Sequence, residues 1–285
     1  MLRPLLLLGL CATLLRAQDD AALLLQHIMP AGTAFAFTIA VDSKLEFEDP
    51  RKNSHMHFEL RFEAMPAAAL DGTIPVTCTL ARLTATVEAP NAHINYDSAD
   101  PRPAVGPLQK LATLIQAKFV VPVATDGTLG EVTIPEPLAL IAKDHLGADF
   151  RSLFAAYFVP LPRTPVTIGS TWDLDTMLFG IQPSGVATTV RHKLVSVAEG
   201  CATIQCAVDA PKPPARPGVR FEVREATGSI AFDLARGRVQ RTDLELLARA
   251  TRTGGDATAS ATSHLVISAQ REEPATPSTE GRPGR

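Results

Sequence analysis

Between Ala257 and Ala269 the residue types alternate. Ala257, Ala259, Ala261, Leu265, Ile267 and Ala269 fall on one face of an extended chain, and Thr258, Ser260, Thr262, His264 and Ser268 on the other. A two-residue period of this kind belongs to a strand with one side against a core and the other in water. Such a strand needs neighbours, and the chain supplies them. Val219–Asp233 and Arg238–Thr251 precede it, with turns at Arg236-Gly237 and Gly254-Gly255, and Gly185–Val197 and Ala202–Val208 are joined at Glu199-Gly200. Earlier in the chain, Thr33–Val41 reads as a strand. His55–Met65 reads as another, with Met56, Phe58, Leu60 and Phe62 on one face. Ile74–Val87 switches its apolar face midway, which predicts a bulge near Ala81–Arg82. Ala92–Tyr96 is a short strand, and Phe119–Ala124 with Leu129–Ile134 forms a hairpin about Asp126-Gly127.

Three segments carry helical patterns. Asp19–Met29 opens on two acids and continues into an apolar cluster, as a helix start does. Val105–Ile115 places Leu108, Leu111, Ala112 and Ile115 at helical spacing. Glu136–Val159 reads as two consecutive helices broken at Gly147, with Leu138, Ile141, Phe150, Leu153 and Phe154 on their apolar faces. The expected fold class is therefore α+β: a large curved antiparallel β-sheet with a few helices packed on one face. Pro160–Trp172, with three prolines and the only tryptophan, reads as a rigid hinge. Residues 18–273 are expected to form a single domain whose two halves meet at this hinge near 160–172. In the alternative arrangement each half builds its own small sheet.

Arg3 followed by the apolar run Leu5–Leu15 and by Ala17 has the layout of an export signal over residues 1–17. The run is too short to span a bilayer as a helix, and no second apolar stretch reaches that length. Cleavage would remove Arg3 and Arg16 and take the net charge from −3 to −5. That balance does not attract a phosphate backbone, which argues against nucleic acid as a partner. Three cysteines follow the leader: Cys78, Cys201 and Cys206. Cys201 and Cys206 are five apart on one strand and point to opposite faces, so they do not pair with each other; a bridge from Cys78 to either one is geometrically open, and small buried thiols are the expectation. Residues Pro211–Gly218 read as an exposed proline-rich loop, and 274–285 as a disordered tail.

The order of several short motifs resembles a family of uncharacterised secreted bacterial proteins, a domain of unknown function. These motifs are Tyr96-Asp97-Ser98, Asp126-Gly127, Leu161-Pro162, Pro165-Val166, Gly169-Ser170-Thr171-Trp172, and Gly228–Asp233 with Gly237 in the following turn. The resemblance spans about Ala31–Gln270 and brings with it no activity or site residue. More loosely, the layout is similar to periplasmic lipoprotein carriers, in which a curved antiparallel sheet wraps helices around an apolar cavity. This second likeness concerns architecture alone.

Candidate chemistry is sparse. His55 and His57 flank Met56 and share a strand face, the beginning of a metal site, but no third ligand stands at a recognised spacing, and a solvated polar face is the expectation. His93, His145, His192 and His264 are scattered. Asp97-Ser98 lacks the setting of a nucleophile elbow and reads as an Asx-type loop. No catalytic constellation, metal site or cofactor motif is expected. The function read from the sequence is that of an exported, non-catalytic periplasmic or extracellular protein that binds an apolar ligand or an envelope protein. The residues assigned to an apolar ligand are Leu138, Ile141, Phe150, Phe154 and Trp172. The alternative is a structural or interaction protein with a closed core and no small-molecule ligand.

Overall fold

The computed structural model describes residues 21–100, 102–104, 108–134, 150–178, 186–208, 219–254 and 257–272. The leader-like 1–17 stretch, Leu138, Ile141, His145, the Pro211–Gly218 loop and the 274–285 tail lie outside these residues. Eleven strands form one antiparallel sheet. They are β1 (Phe35–Phe47), β2 (Ser54–Pro66), β3 (Thr73–Ala89), β4 (Ala92–Asp97), β5 (Lys118–Ala124), β6 (Thr171–Leu178), β7 (Val186–Ala198), β8 (Cys201–Val208), β9 (Val219–Asp233), β10 (Arg238–Gly254) and β11 (Ala257–Arg271). Their order is β4-β3-β2-β1-β11-β10-β9-β8-β7-β6, with β5 on β3 beside β4. Almost every neighbour in space is a neighbour in sequence. The exceptions are β5, which pairs with β3 past β4, and β1, which pairs with β2 on one side and with β11 on the other. Through β1 the two halves of the chain share one sheet.

Strand patterning accounts for the registers. On the apolar face Phe37 pairs with Phe62, Ile39 with Leu60 and Val41 with Phe58, and Ile39 pairs with Ala269 on the other side. The bulge expected near Ala81–Arg82 is present: Arg61 faces Arg82 while Phe62 faces Leu80, leaving Ala81 as the extra residue. It keeps Leu80 and Leu83 both buried. Glu199 and Gly200 both take positive φ (52° and 76°), the conformation of a tight hairpin turn between β7 and β8.

The expectation of an α+β fold is overturned. The protein is almost all antiparallel β, and the described helices are α1 (Leu108–Ala112), α2 (Phe150–Tyr157) and a single 3₁₀ turn at Pro50–Lys52. The helix read at Asp19–Met29 is, over its described part, an extended strap. Leu25 and His27 are buried and Leu24, Gln26 and Ile28 exposed, a two-residue period. Backbone partners hold it open. Leu23 exchanges hydrogen bonds with Val166, the His27 N–H donates to the Thr125 carbonyl, and the Ile28 N–H donates to the Gly237 carbonyl. Those tertiary bonds satisfy the donors that a helix would have satisfied internally. Of the two helices read over Glu136–Val159, only residues 150–159 fall in the described part, and eight of them form α2; the described part of the Val105–Ile115 pattern forms five helical residues. Among the described residues no helix is long and apolar enough to cross a bilayer.

The core lies on the apolar face under α2. Phe37, Phe62, Phe119, Phe150, Phe154 and Phe158 are each at most 1% exposed. Tyr157 stacks on Phe37 with ring centroids 4.1 Å apart, and Phe119 lies 4.6 Å from Phe150. A second cluster under the strap joins Leu25, Val159, Leu161 and Val166 to Leu194, Ile204, Ile230 and Phe232. Cys78 and Cys206 are buried free thiols and Cys201 a partly exposed one. Burial pushes the Cys206 thiol up to about 12, where it is inert at neutral pH.

The backbone at Val159 and the strap's His27 close over the Asp126-Gly127 turn so tightly that Gly127 cannot carry a side chain. Its φ is +78°, and a β-carbon there would run into the Val159 carbonyl oxygen and stand 2.8 Å from His27 Nε2. Gly127→Ala should therefore lower stability by about 2 kcal/mol, since backbone strain and displacement of the strap combine. The check is a denaturant midpoint, and a change below about 0.5 kcal/mol would mean that Val159 and His27 are not seated over the turn.

Candidate functional site on the polar face of the sheet

The face of the sheet opposite the core gathers charged groups from distant parts of the chain. Along one row His93, Glu88, His55, Lys44, His264, Leu247 and Glu225 stand on β4, β3, β2, β1, β11, β10 and β9 in turn. In the next row His57, Asp42, Val266 and Glu245 follow one another on β2, β1, β11 and β10. Four histidines thus share this surface with a set of carboxylates that includes Asp42, Glu46, Glu59, Glu88, Glu225 and Glu245. Alternation explains the placement, because each side chain sits at the solvent position between two core positions of its strand.

Asp42 is the centre of the belt. Its Oδ2 lies 2.8 Å from His55 Nε2 and 3.3 Å from His57 Nδ1, so one carboxylate oxygen accepts from both imidazoles. The far ring nitrogens also face acids. His55 Nδ1 is 3.8 Å from Glu88 and His57 Nε2 is 3.8 Å from Glu59. Partial burial works against ionisation of Asp42, but the two imidazole hydrogen bonds and neighbouring Lys44 outweigh it and hold the carboxyl below its usual range. Two strands away, His264 Nε2 pairs with Glu245 at 2.7 Å. Beside this pair runs a groove of about 350 Å³ lined by Lys44, Glu46, Glu225, Glu245, Leu247, Thr262 and His264.

Of the residues read as an apolar-ligand site, Leu138 and Ile141 lie outside the described residues and the other three fall in two separate places. Phe150 and Phe154 are packed in the aromatic core, where they fill the space between α2 and the sheet. Trp172 stands apart from them on β6, its ring stacked on His192 with centroids 5.5 Å apart and 10° between planes. Its Nε1 is buried, with no acceptor among the described residues. Asp97 and Ser98 form the Asx-type loop: Asp97 Oδ1 accepts from the Ala99 N–H, Ser98 Oγ accepts from the Leu83 N–H, and Arg82 pairs with Asp97. His192 is buried on the core side, whereas His93 and His264 belong to the polar belt.

The sequence reading missed Asp42, because it ended the first strand at Val41. The signal lay in the continuation: Asp42, Lys44 and Glu46 keep the alternation of Thr38 and Ala40. The pairing of Asp42 with His57 follows from strand register, which no local pattern states.

Neither a family model nor a curated protein matches the chain. Among solved structures, the translocator domain of the autotransporter NalP from Neisseria meningitidis aligns over 93% of this chain and 95% of that one. Identity is 12% and the TM-score 0.24. A score that low carries no assignment of fold, place or activity.

Proposed function

We propose that this is an exported, non-catalytic interaction protein of the cell envelope, engaging a basic partner protein through the polar face of its sheet. The observation that carries the reading is the contrast between the two faces. The described core side is filled with aromatic side chains, while the polar side offers a groove with Glu46, Glu225 and Glu245 against one lysine. The leader-like arrangement of Arg3 and Leu5–Leu15 supports export. A carboxylate-rich surface of this kind favours a partner of opposite sign, through faster encounter and through rejection of acidic surfaces.

The test is capture of partners by the mature protein from its own envelope, beside a Glu46→Lys/Glu225→Lys/Glu245→Lys variant. A species held by the wild type at low salt should be released by salt and by the triple charge reversal. Native mass spectrometry of the purified protein supplies the opposing result. A co-purified apolar molecule that leaves on denaturation would overturn the reading in favour of a ligand carrier, as would capture indifferent to the triple variant.

A further inference from the structure

We infer that Asp42, His55 and His57 form a binding site for a divalent transition-metal ion of the zinc, copper or nickel type. The inference goes beyond the partner reading and does not depend on it. Two imidazoles and a carboxylate are the donor set such ions take, and three protein ligands leave a position open for water.

The strands bring these donors together. His55 and His57 are two residues apart on β2 and therefore point the same way, and Asp42 on β1 sits directly across from His57. Zinc holds nitrogen and oxygen ligands at about 2.0–2.2 Å, which at the tetrahedral angle sets neighbouring ligand atoms about 3.3–3.6 Å from one another. Asp42 Oδ2 stands 3.3 Å from His57 Nδ1, at the edge of that spacing, and 2.8 Å from His55 Nε2, a hydrogen-bond distance that an entering ion would have to open by about half an ångström. Among the described residues no three such donors already surround a common point. In the ion-free protein the imidazole N–H groups occupy the space between nitrogen and oxygen. An ion replaces those protons and draws the two rings to one centre by side-chain rotation on fixed strands.

The surroundings favour the same occupant. Metal-bound histidines commonly turn their second nitrogen to a carboxylate, which fixes the ring and raises its basicity. Here Glu88 stands 3.8 Å from the second nitrogen of His55 and Glu59 3.8 Å from that of His57. At 3.8 Å these acids are ion-pair neighbours rather than hydrogen-bond partners, close enough to turn onto the rings once an ion has fixed them. The three side chains are 31–38% exposed, open to an entering ion yet partly shielded from water. Lys44, beside Asp42 and His55, is the neighbouring cation that opposes binding.

The experiment is titration of the reduced mature protein with Zn²⁺ by calorimetry, and with Co²⁺ by visible absorption. One ion per chain is expected, with cobalt bands of a nitrogen–oxygen site. Asp42→Asn and His57→Gln should each weaken binding at least about tenfold, and Glu88→Gln by several-fold. His93→Gln, His264→Gln and Cys201→Ser should leave it unchanged. A measurement without variants keeps the test sound should one fail to fold: Zn²⁺ should protect His55 and His57, but not His93, from diethyl pyrocarbonate. Absence of saturable binding, equal loss in the His93 or His264 controls, or uniform modification of all exposed histidines would overturn the site.

Discussion

Phe154→Ala should lower the free energy of unfolding by about 4 kcal/mol, the effect of removing a wholly buried ring whose neighbours cannot collapse into the gap. The side chain is 0% exposed. It meets Phe62 with centroids 5.1 Å apart, Phe119 at 5.9 Å, Phe150 at 6.4 Å and Phe37 at 6.5 Å. Three strands and α2 converge on it, so the cavity would be walled by rigid elements. Urea unfolding followed by fluorescence and circular dichroism measures the change. The result also separates the two roles that the sequence left open for this residue. A loss below about 1 kcal/mol would mean that Phe154 lines open space and that an apolar ligand has room beside α2.

The second large effect is acid destabilisation through His192. The ring is 5% exposed on β7, lies flat against Trp172, and its Nδ1–H donates to the Val190 carbonyl at 3.2 Å. Burial lowers its pKa from 6.5 to about 4, against the smaller opposing pull of the Val190 hydrogen bond and Asp173. A native pKa below the unfolded one means that the unfolded chain takes up a proton that the native protein refuses. Stability is then full above about pH 6.5, falls as pH drops toward 4, and levels below that, with a total of about 3 kcal/mol from this group. His27, wholly buried with Nε2 2.8 Å from the Val159 carbonyl, is lowered by burial as well and adds in the same direction. Comparing wild type with His192→Phe, which keeps a ring against Trp172, isolates the contribution. The difference in unfolding free energy between pH 7.5 and 4.5 should shrink by most of those 3 kcal/mol. An unchanged difference would mean that the imidazole is protonated in place, with the ring reaching solvent.

Local pattern carried much of this fold. Alternation in β2 and β11 marked both their length and their buried face, because a two-residue period leaves a strand no other way to hide its apolar side chains, and turn signals bounded β9 and β10. The face switch in β3 placed the bulge near Ala81–Arg82, where the register leaves Ala81 as the extra residue, and the Asp126-Gly127 turn followed from the backbone freedom it requires. Helical readings failed where apolar clusters were short. Residues 23–28 read equally well at either period, and the backbone partners that decide between them, Val166, Thr125 and Gly237, lie far off in sequence. Propensity is a weak constraint beside such long-range bonds.

The candidate site divides along the same line. By itself the sequence determined which residues take the solvent positions of each strand, including His55 and His57 on one face, since side-chain direction is a local property of extended backbone. Only the tertiary structure decided that β1 lies between β2 and β11. That arrangement alone puts Asp42 against two imidazoles and brings His264, Glu245 and Glu225 onto the same surface. Strand order and register depend on the packing of whole faces across more than two hundred residues of chain, and no short window of sequence contains that balance.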